Sequence, residues 1–79
     1  MRIEYDPAYN IAYIRLTEDA AKDLQTIGVS DELNIDMTAD GRIYGIELLN
    51  ANERLFGQRP GELIVENRQT GRTEKIALP

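Results

Sequence analysis

This sequence predicts a mainly β fold, with α+β as the alternative: an antiparallel meander of about six or seven short strands and one or two short helical turns. Two observations carry that expectation. Asp31 to Leu49 alternates apolar and polar residues, breaks at Asp40-Gly41, and alternates again. Short runs of the same kind recur on both sides of it, punctuated by Pro, Gly, Asn and Asp. Leu33, Ile35 and Met37 share one parity. Ile46 and Leu48 fall on the same face of the returning segment if register is kept, because side chains alternate across a strand. Asp-Gly between two such runs is a strong hairpin signal, since both residues tolerate positive φ. The stretch is expected to form a central hairpin on which the rest of the chain assembles.

The other elements follow in order. Arg2 to Asp6 places Ile3 and Tyr5 on one side and Arg2 and Glu4 on the other, and Asp6-Pro7 stops the strand. Ile11 to Thr17 is the next strand, with Ala12, Ile14 and Leu16 on one face. Pro7 to Asn10 then forms a hairpin loop. Glu18 to Leu24 reads as a loop with one helical turn, too short to stand without tertiary support. Gln25 to Ser30 resumes strand character through Thr26, Ile27 and Val29. Gly45, inside a strand, suggests a bulge. Asn50, with Glu53 three residues later, suits the start of a short helix over Ala51 to Leu55. Phe56 to Gly61 reads as a loop containing the turn pair Pro60-Gly61. Glu62 to Asn67 and Arg72 to Leu78 form a third hairpin. One sheet face, carrying Ile3, Ile14, Ile35 and Ile46, must be covered, either by this hairpin and Leu55-Phe56 or by a second copy. The expected organisation is a single small domain over 1–79, with a core over 1–55 and a hairpin extension over 56–79.

Composition narrows the chemistry. Seventy-nine residues are few for a self-sufficient core; such a chain buries roughly 60% of the surface that its unfolded form exposes. The absence of cysteine and histidine excludes disulfide staples, thiolate nucleophiles, Cys/His zinc sites and imidazole triads. A formal charge of −5 disfavours nucleic-acid binding, which needs a basic face. No apolar run approaches the ~20 residues of a membrane span, and the N-terminus begins in strand-like sequence without a signal-peptide core. A cytoplasmic location is the expectation.

Candidate functional residues are few. Asp6, Asn10, Asp36, Asp40 and Glu47 could supply oxygen ligands to a hard cation, but no EF-hand spacing surrounds them, and Asp6 and Asp40 equally suit turns. Tyr13, with Tyr5, Tyr9 and Tyr44, could act as an acid or base, and Arg15 or Arg42 could hold an anion; cross-strand packing is the simpler reading. Ser30 is the only serine and lacks a nucleophile-elbow context. Glu47, between Ile46 and Leu48, needs a partner if buried, for which Arg2, Arg15 and Arg42 are the candidates. The weak ligand-binding set is therefore Asp6, Tyr13, Arg15, Asp40 and Glu47, with no catalytic residue, no metal ligand and no cofactor assigned.

Tyr5-Asp6-Pro7 followed by Ala12-Tyr13-Ile14-Arg15-Leu16 is similar to the opening of the small DUF2283 family. Asp40-Gly41-Arg42-Ile43-Tyr44-Gly45-Ile46-Glu47-Leu48-Leu49-Asn50-Ala51 resembles that family's second signature. The resemblance covers roughly residues 1 to 55; Asn10 departs from it where the family often places aspartate. It implies a compact β-rich domain of a bacterial or archaeal cytoplasm and brings no activity with it; members of the family look like components of small two-gene cassettes in some genomes, a setting in which an antitoxin-like role is conceivable. The functional expectation is a non-enzymatic interaction module that binds itself or a neighbouring-gene protein. The alternative is a small metal-dependent enzyme or ligand-binding protein using clustered carboxylates.

Overall fold

A computed structural model describes residues 1–56 and 61–78 of the chain. Seven strands and one short helix follow one another: β1 (Arg2–Asp6), β2 (Ile11–Arg15), β3 (Gln25–Ser30), β4 (Leu33–Met37), β5 (Ile43–Leu48), α1 (Ala51–Phe56), β6 (Glu62–Glu66) and β7 (Thr73–Ala77). All pairings are antiparallel. The first five strands form one sheet in the order β1-β2-β5-β4-β3, and β6 and β7 form a separate two-stranded sheet. The all-antiparallel class is the one predicted. β5 lies at the centre, where two hairpin systems meet, and takes the place beside β2 that chain order would give to β3.

Local chemistry explains the turns. Asp6 Oδ1 accepts hydrogen bonds from the amides of Ala8 (3.1 Å) and Tyr9 (3.3 Å), and Asn10 closes the β1–β2 loop at φ 58°. Between β4 and β5 only Gly41 takes positive φ (84°). Thr38 and Arg42 close a three-residue connection: the Thr38 amide donates to the Arg42 carbonyl (2.8 Å) and the Gly41 amide to the Thr38 carbonyl (3.0 Å). A left-handed glycine at the third position is the usual device of such loops. The helical turn expected in 18–24 is absent. The Thr17 hydroxyl accepts from the Asp19 amide (3.2 Å) as an N-cap would, but no helical turn follows, and Asp23 at a φ of 50° is incompatible with one. The loop predicted over residues 57–60, and the Phe56 side chain, lie outside the described residues.

Register aligns one residue type across the whole sheet. Ile3 pairs with Ile14, Ile14 with Ile46, Ile46 with Ile35, and Ile35 with Ile27. A second row runs Tyr5–Ala12–Leu48–Leu33 beside it. These rows share the apolar face; Glu4, Tyr13, Glu47 and Asn34 form a row on the other. The apolar face is thinly covered. Among the described residues no large side chain is fully buried, and the buried hydrophobic residues are Ala12, Tyr44 and Ala51. The hairpin approaches the β1 side, where Leu55, Leu63, Ile76 and Leu78 meet Ile3 and Tyr5 around an open groove of about 370 Å³, while α1 packs on β2 and reaches the β3–β4 turn through Arg54. A domain normally packs two layers around one core, and here the second layer is a fragment.

Candidate functional site

The polar face holds most of the residues singled out from the sequence. Tyr13, on β2, extends its ring across Gly45 of β5, and its hydroxyl donates to Asp36 Oδ2 on β4 (2.7 Å). The other Asp36 oxygen accepts from Thr26 Oγ1 on β3 (2.6 Å). One carboxylate therefore ties β2, β4 and β3 together over the top of β5. Burial, and then the hydrogen bond to Asp36, push the Tyr13 phenol well above its ordinary value. A phenol held neutral is a poor proton acceptor, and both Asp36 oxygens are already engaged. The arrangement acts as a cross-strand strap.

Gly45 has a definite reason to be glycine. A Cβ built there would lie 2.3 Å from the Tyr13 hydroxyl oxygen and 2.4 Å from its Cζ. The bulge expected near this residue is present beside it, since register shifts where Asp36 pairs with Gly45 but Met37 pairs with Ile43. Tyr44 is the extra residue. It is buried, and its hydroxyl donates to the Asp19 carbonyl (3.2 Å), pinning the β2–β3 connection against β5. Its role as one of the few core residues has no signal in the alternation pattern, which a bulge interrupts.

Glu47 corrects an expectation. Among the described residues no arginine pairs with it, and its partner is Asn34 Nδ2 (3.0 Å) on β4. Arg15 stands opposite Gly45, two pairs along from Glu47 on the same face. Its guanidinium turns outward to Glu18 (3.3 Å) and Glu4 (3.9 Å) and bonds the Thr17 carbonyl (3.1 Å). Asp6 serves its turn as described above. Asp40 accepts a hydrogen bond from the Thr38 hydroxyl, and that bond holds its carboxyl below the usual value. The five candidates are thus dispersed: Tyr13 and Glu47 share one row, Arg15 lies beside it, and Asp6 and Asp40 occupy separate turns. Among the described residues no group of three or more acidic side chains is placed to hold a metal ion.

Sequence reasoning missed a clasp at one end of the sheet. Asn10 Oδ1 accepts from the Asn52 amide (2.7 Å), its carbonyl accepts from the Ala51 amide (3.2 Å), and its Nδ2 donates to Asn50 Oδ1 (3.3 Å). The β1–β2 loop thereby caps the first turn of α1 from outside, a task that the sequence assigned to Asn50. Asn52 in turn donates to the Pro7 carbonyl (3.1 Å) and accepts from the Tyr5 hydroxyl. Asn50 donates to Glu32 Oε1 (3.1 Å), which also marks the β3–β4 turn, and Arg54 bonds Glu32 Oε2 (2.7 Å). The Arg54 hydrogen bond, then the one from Asn50, holds Glu32 below its usual value. These contacts span 18 to 47 residues of sequence, so no local pattern announces them.

No helix among the described residues is long and apolar enough to cross a membrane. No curated protein and no solved structure matches the chain. The profile of one family, described as "Protein of unknown function (DUF2283)", matches residues 2–52. That span takes in β1 to β5, the Tyr13–Asp36 strap and the Asn10 clasp, and stops inside α1. The chain belongs to the DUF2283 family.

Proposed function

We propose that this protein is a non-enzymatic interaction module that self-associates through the apolar face of its five-stranded sheet. One observation carries the reading: a row of five isoleucines, Ile3–Ile14–Ile46–Ile35–Ile27, crosses every strand of the sheet, and none of them is buried within the chain. Ile27, at the far edge, stays 41% exposed. A sheet face of this kind is stable in water when another layer packs on it. A second copy supplies that layer without any further component, and the five strands place no charged side chain in either apolar row. Long-range repulsion between two acidic chains is therefore not compounded at the point of contact.

The polar face supports the non-enzymatic part of the reading. Asp36, Glu47 and Tyr13 are engaged with one another's neighbours, and the acids at Asp6 and Asp40 are engaged with their own turns. Sedimentation equilibrium and native mass spectrometry of the untagged chain test the proposal. A dimer that dissociates on dilution, and is lost in Ile27→Lys, is the expected result. A monomer at about 100 μM, well above the micromolar range of ordinary weak complexes, would overturn it.

A further inference from the structure

We propose that the outer edge of β3 pairs with an extended segment of a basic protein partner, which adds a further strand to the sheet. The proposal is independent of the self-association reading, because it concerns the edge of the sheet and not its apolar face. An edge strand leaves a row of main-chain donors and acceptors open, and natural sheets blunt such edges with charge or proline. The two edges here differ in this respect. β1 carries Arg2, Glu4 and Asp6 and is followed by Pro7. β3 has neither charge nor proline, and all six of its residues are exposed. Among the described strands it alone lacks a charged side chain. The register shift between Gly28 and Ser30 confines regular pairing to residues 25–28. What matches such a row is another extended backbone.

The polar face gives that segment its chemistry. The row through Tyr13, Glu47 and Asn34 ends at Gly28, which leaves a lane without a side chain at the edge. Asn34 Oδ1 lies over this lane, 3.5 Å from where a Gly28 Cβ would stand. Glu47 fixes that orientation, since its carboxylate takes the amide nitrogen (3.0 Å) and leaves the oxygen turned toward β3. Among the described residues Asn34 Oδ1 accepts no hydrogen bond, and with the Glu47 carboxylate next in the row it calls for a cationic donor. A lysine or arginine placed opposite Gly28 has only to cross one strand, about 4.8 Å. The neighbouring partner residue faces the other way, beside Ile27, and is apolar. Asp23 and Asp31 stand at the two ends of β3, with Lys22 the one cation beside them. A second copy fits this edge poorly. Paired antiparallel about Ile27, it brings Thr26, already bonded to Asp36 (2.6 Å), opposite Gly28. It also brings Asp23 of each chain near Asp31 of the other, a like-charge pairing.

The test titrates isotopically labelled full chain with a capped peptide of alternating valine and lysine, then with the same peptide carrying glutamate for lysine, and follows amide chemical shifts. The expected result is saturable shifts over residues 25–30, with a dissociation constant below about 1 mM for the lysine peptide. The glutamate peptide should bind at least about tenfold more weakly. Gly28→Lys fills the lane with a cation and should abolish binding of the lysine peptide. Gly28→Val blocks the lane without charge and, should the lysine variant not fold, should cut the preference for lysine to about threefold or less. No binding at about 1 mM, equal binding of the two peptides, a preference unchanged by either variant, or shifts centred on Ile3 and Leu63 instead of β3 would each overturn the proposal. So would β3 shifts that appear on concentrating the chain alone, which would identify a second copy as the occupant of the edge.

Discussion

Gly45→Ala is the most direct test of the strap across the polar face. The added Cβ would sit 2.3 Å from the Tyr13 hydroxyl oxygen, 2.4 Å from Cζ and 2.6 Å from Cε2, against about 3.5–4.0 Å for ordinary carbon contacts. An overlap above 1 Å requires movement, and the ring tip could swing aside only by leaving Asp36. Losing a hydrogen bond to a charged acceptor costs about 1.5–3 kcal/mol. Alanine recovers about 0.4–1 kcal/mol by restricting the unfolded chain. The net loss is about 1–2 kcal/mol, or about 5–15 °C in Tm for a domain of this size. Gly28→Ala is the control, since its Cβ would meet only Asn34 Oδ1 at 3.5 Å, and its Tm should move by no more than about 3 °C. Thermal melts by circular dichroism read both. In a Tyr13→Val background the Gly45→Ala penalty should vanish, giving a coupling of about 1–2 kcal/mol in the double-mutant cycle. A Gly45→Ala protein that melts at or above wild type, or one whose penalty is the same without the tyrosine, would refute the argument.

Other consequences can be checked separately. Because the folded Tyr13 phenol titrates above its unfolded value, its stabilising contribution is complete below about pH 10 and is lost as pH rises further. The fall in denaturant midpoint between pH 9 and 11 should therefore be steeper in wild type than in Tyr13→Phe; parallel curves would show that the phenol is not linked to folding. Asn10→Ala removes both the α1 cap and a residue suited to positive φ and should cost about 1–2 kcal/mol. Asn10→Gly, which keeps the φ of 58° at no steric cost, should lose about half as much, and equal losses would mean that only the cap matters. Self-association between chains of −5 charge through uncharged faces should tighten as salt rises from 0.05 to 0.5 M and screens their repulsion. A dimer weakened by salt would point to ion pairs at the contact.

The strands were legible because a period of two survives in a chain this short. Leu33, Ile35, Met37, Ile46 and Leu48 had only to be counted by parity to land on one face, and three of the four hairpins among the described residues follow from their turn residues, the β3–β4 hairpin being the one not expected. The order of strands was not legible: nothing in Ile11–Arg15 distinguishes β3 from β5 as its neighbour, since each presents an isoleucine to the apolar row. That single ambiguity explains the error at Glu47. An arginine partner is reasonable for any acid in a central strand, but once β5 lies against β2 the row of Glu47 contains Tyr13 and Asn34, and Arg15 falls two pairs along, opposite glycine. Asn10 was opaque for a related reason, since its partners lie about forty residues on.

The same geometry explains why one sequence produces a strapped polar face and a partly covered apolar one. On the polar face, short polar groups reach across strands and satisfy one another: Tyr13 to Asp36, Thr26 to Asp36 and Asn34 to Glu47. That face is complete within the monomer and needs no partner. Isoleucines have no such reach. They gain only by removing area from water, about 25 cal/mol per Å², and that requires a second layer rather than a better neighbour in the same one. With the polar groups tied and the apolar row complete from β1 to β3, what the isoleucines can still gain comes only from a further layer over them. Sequence changes along that row should accordingly be felt first in association and only then in folding.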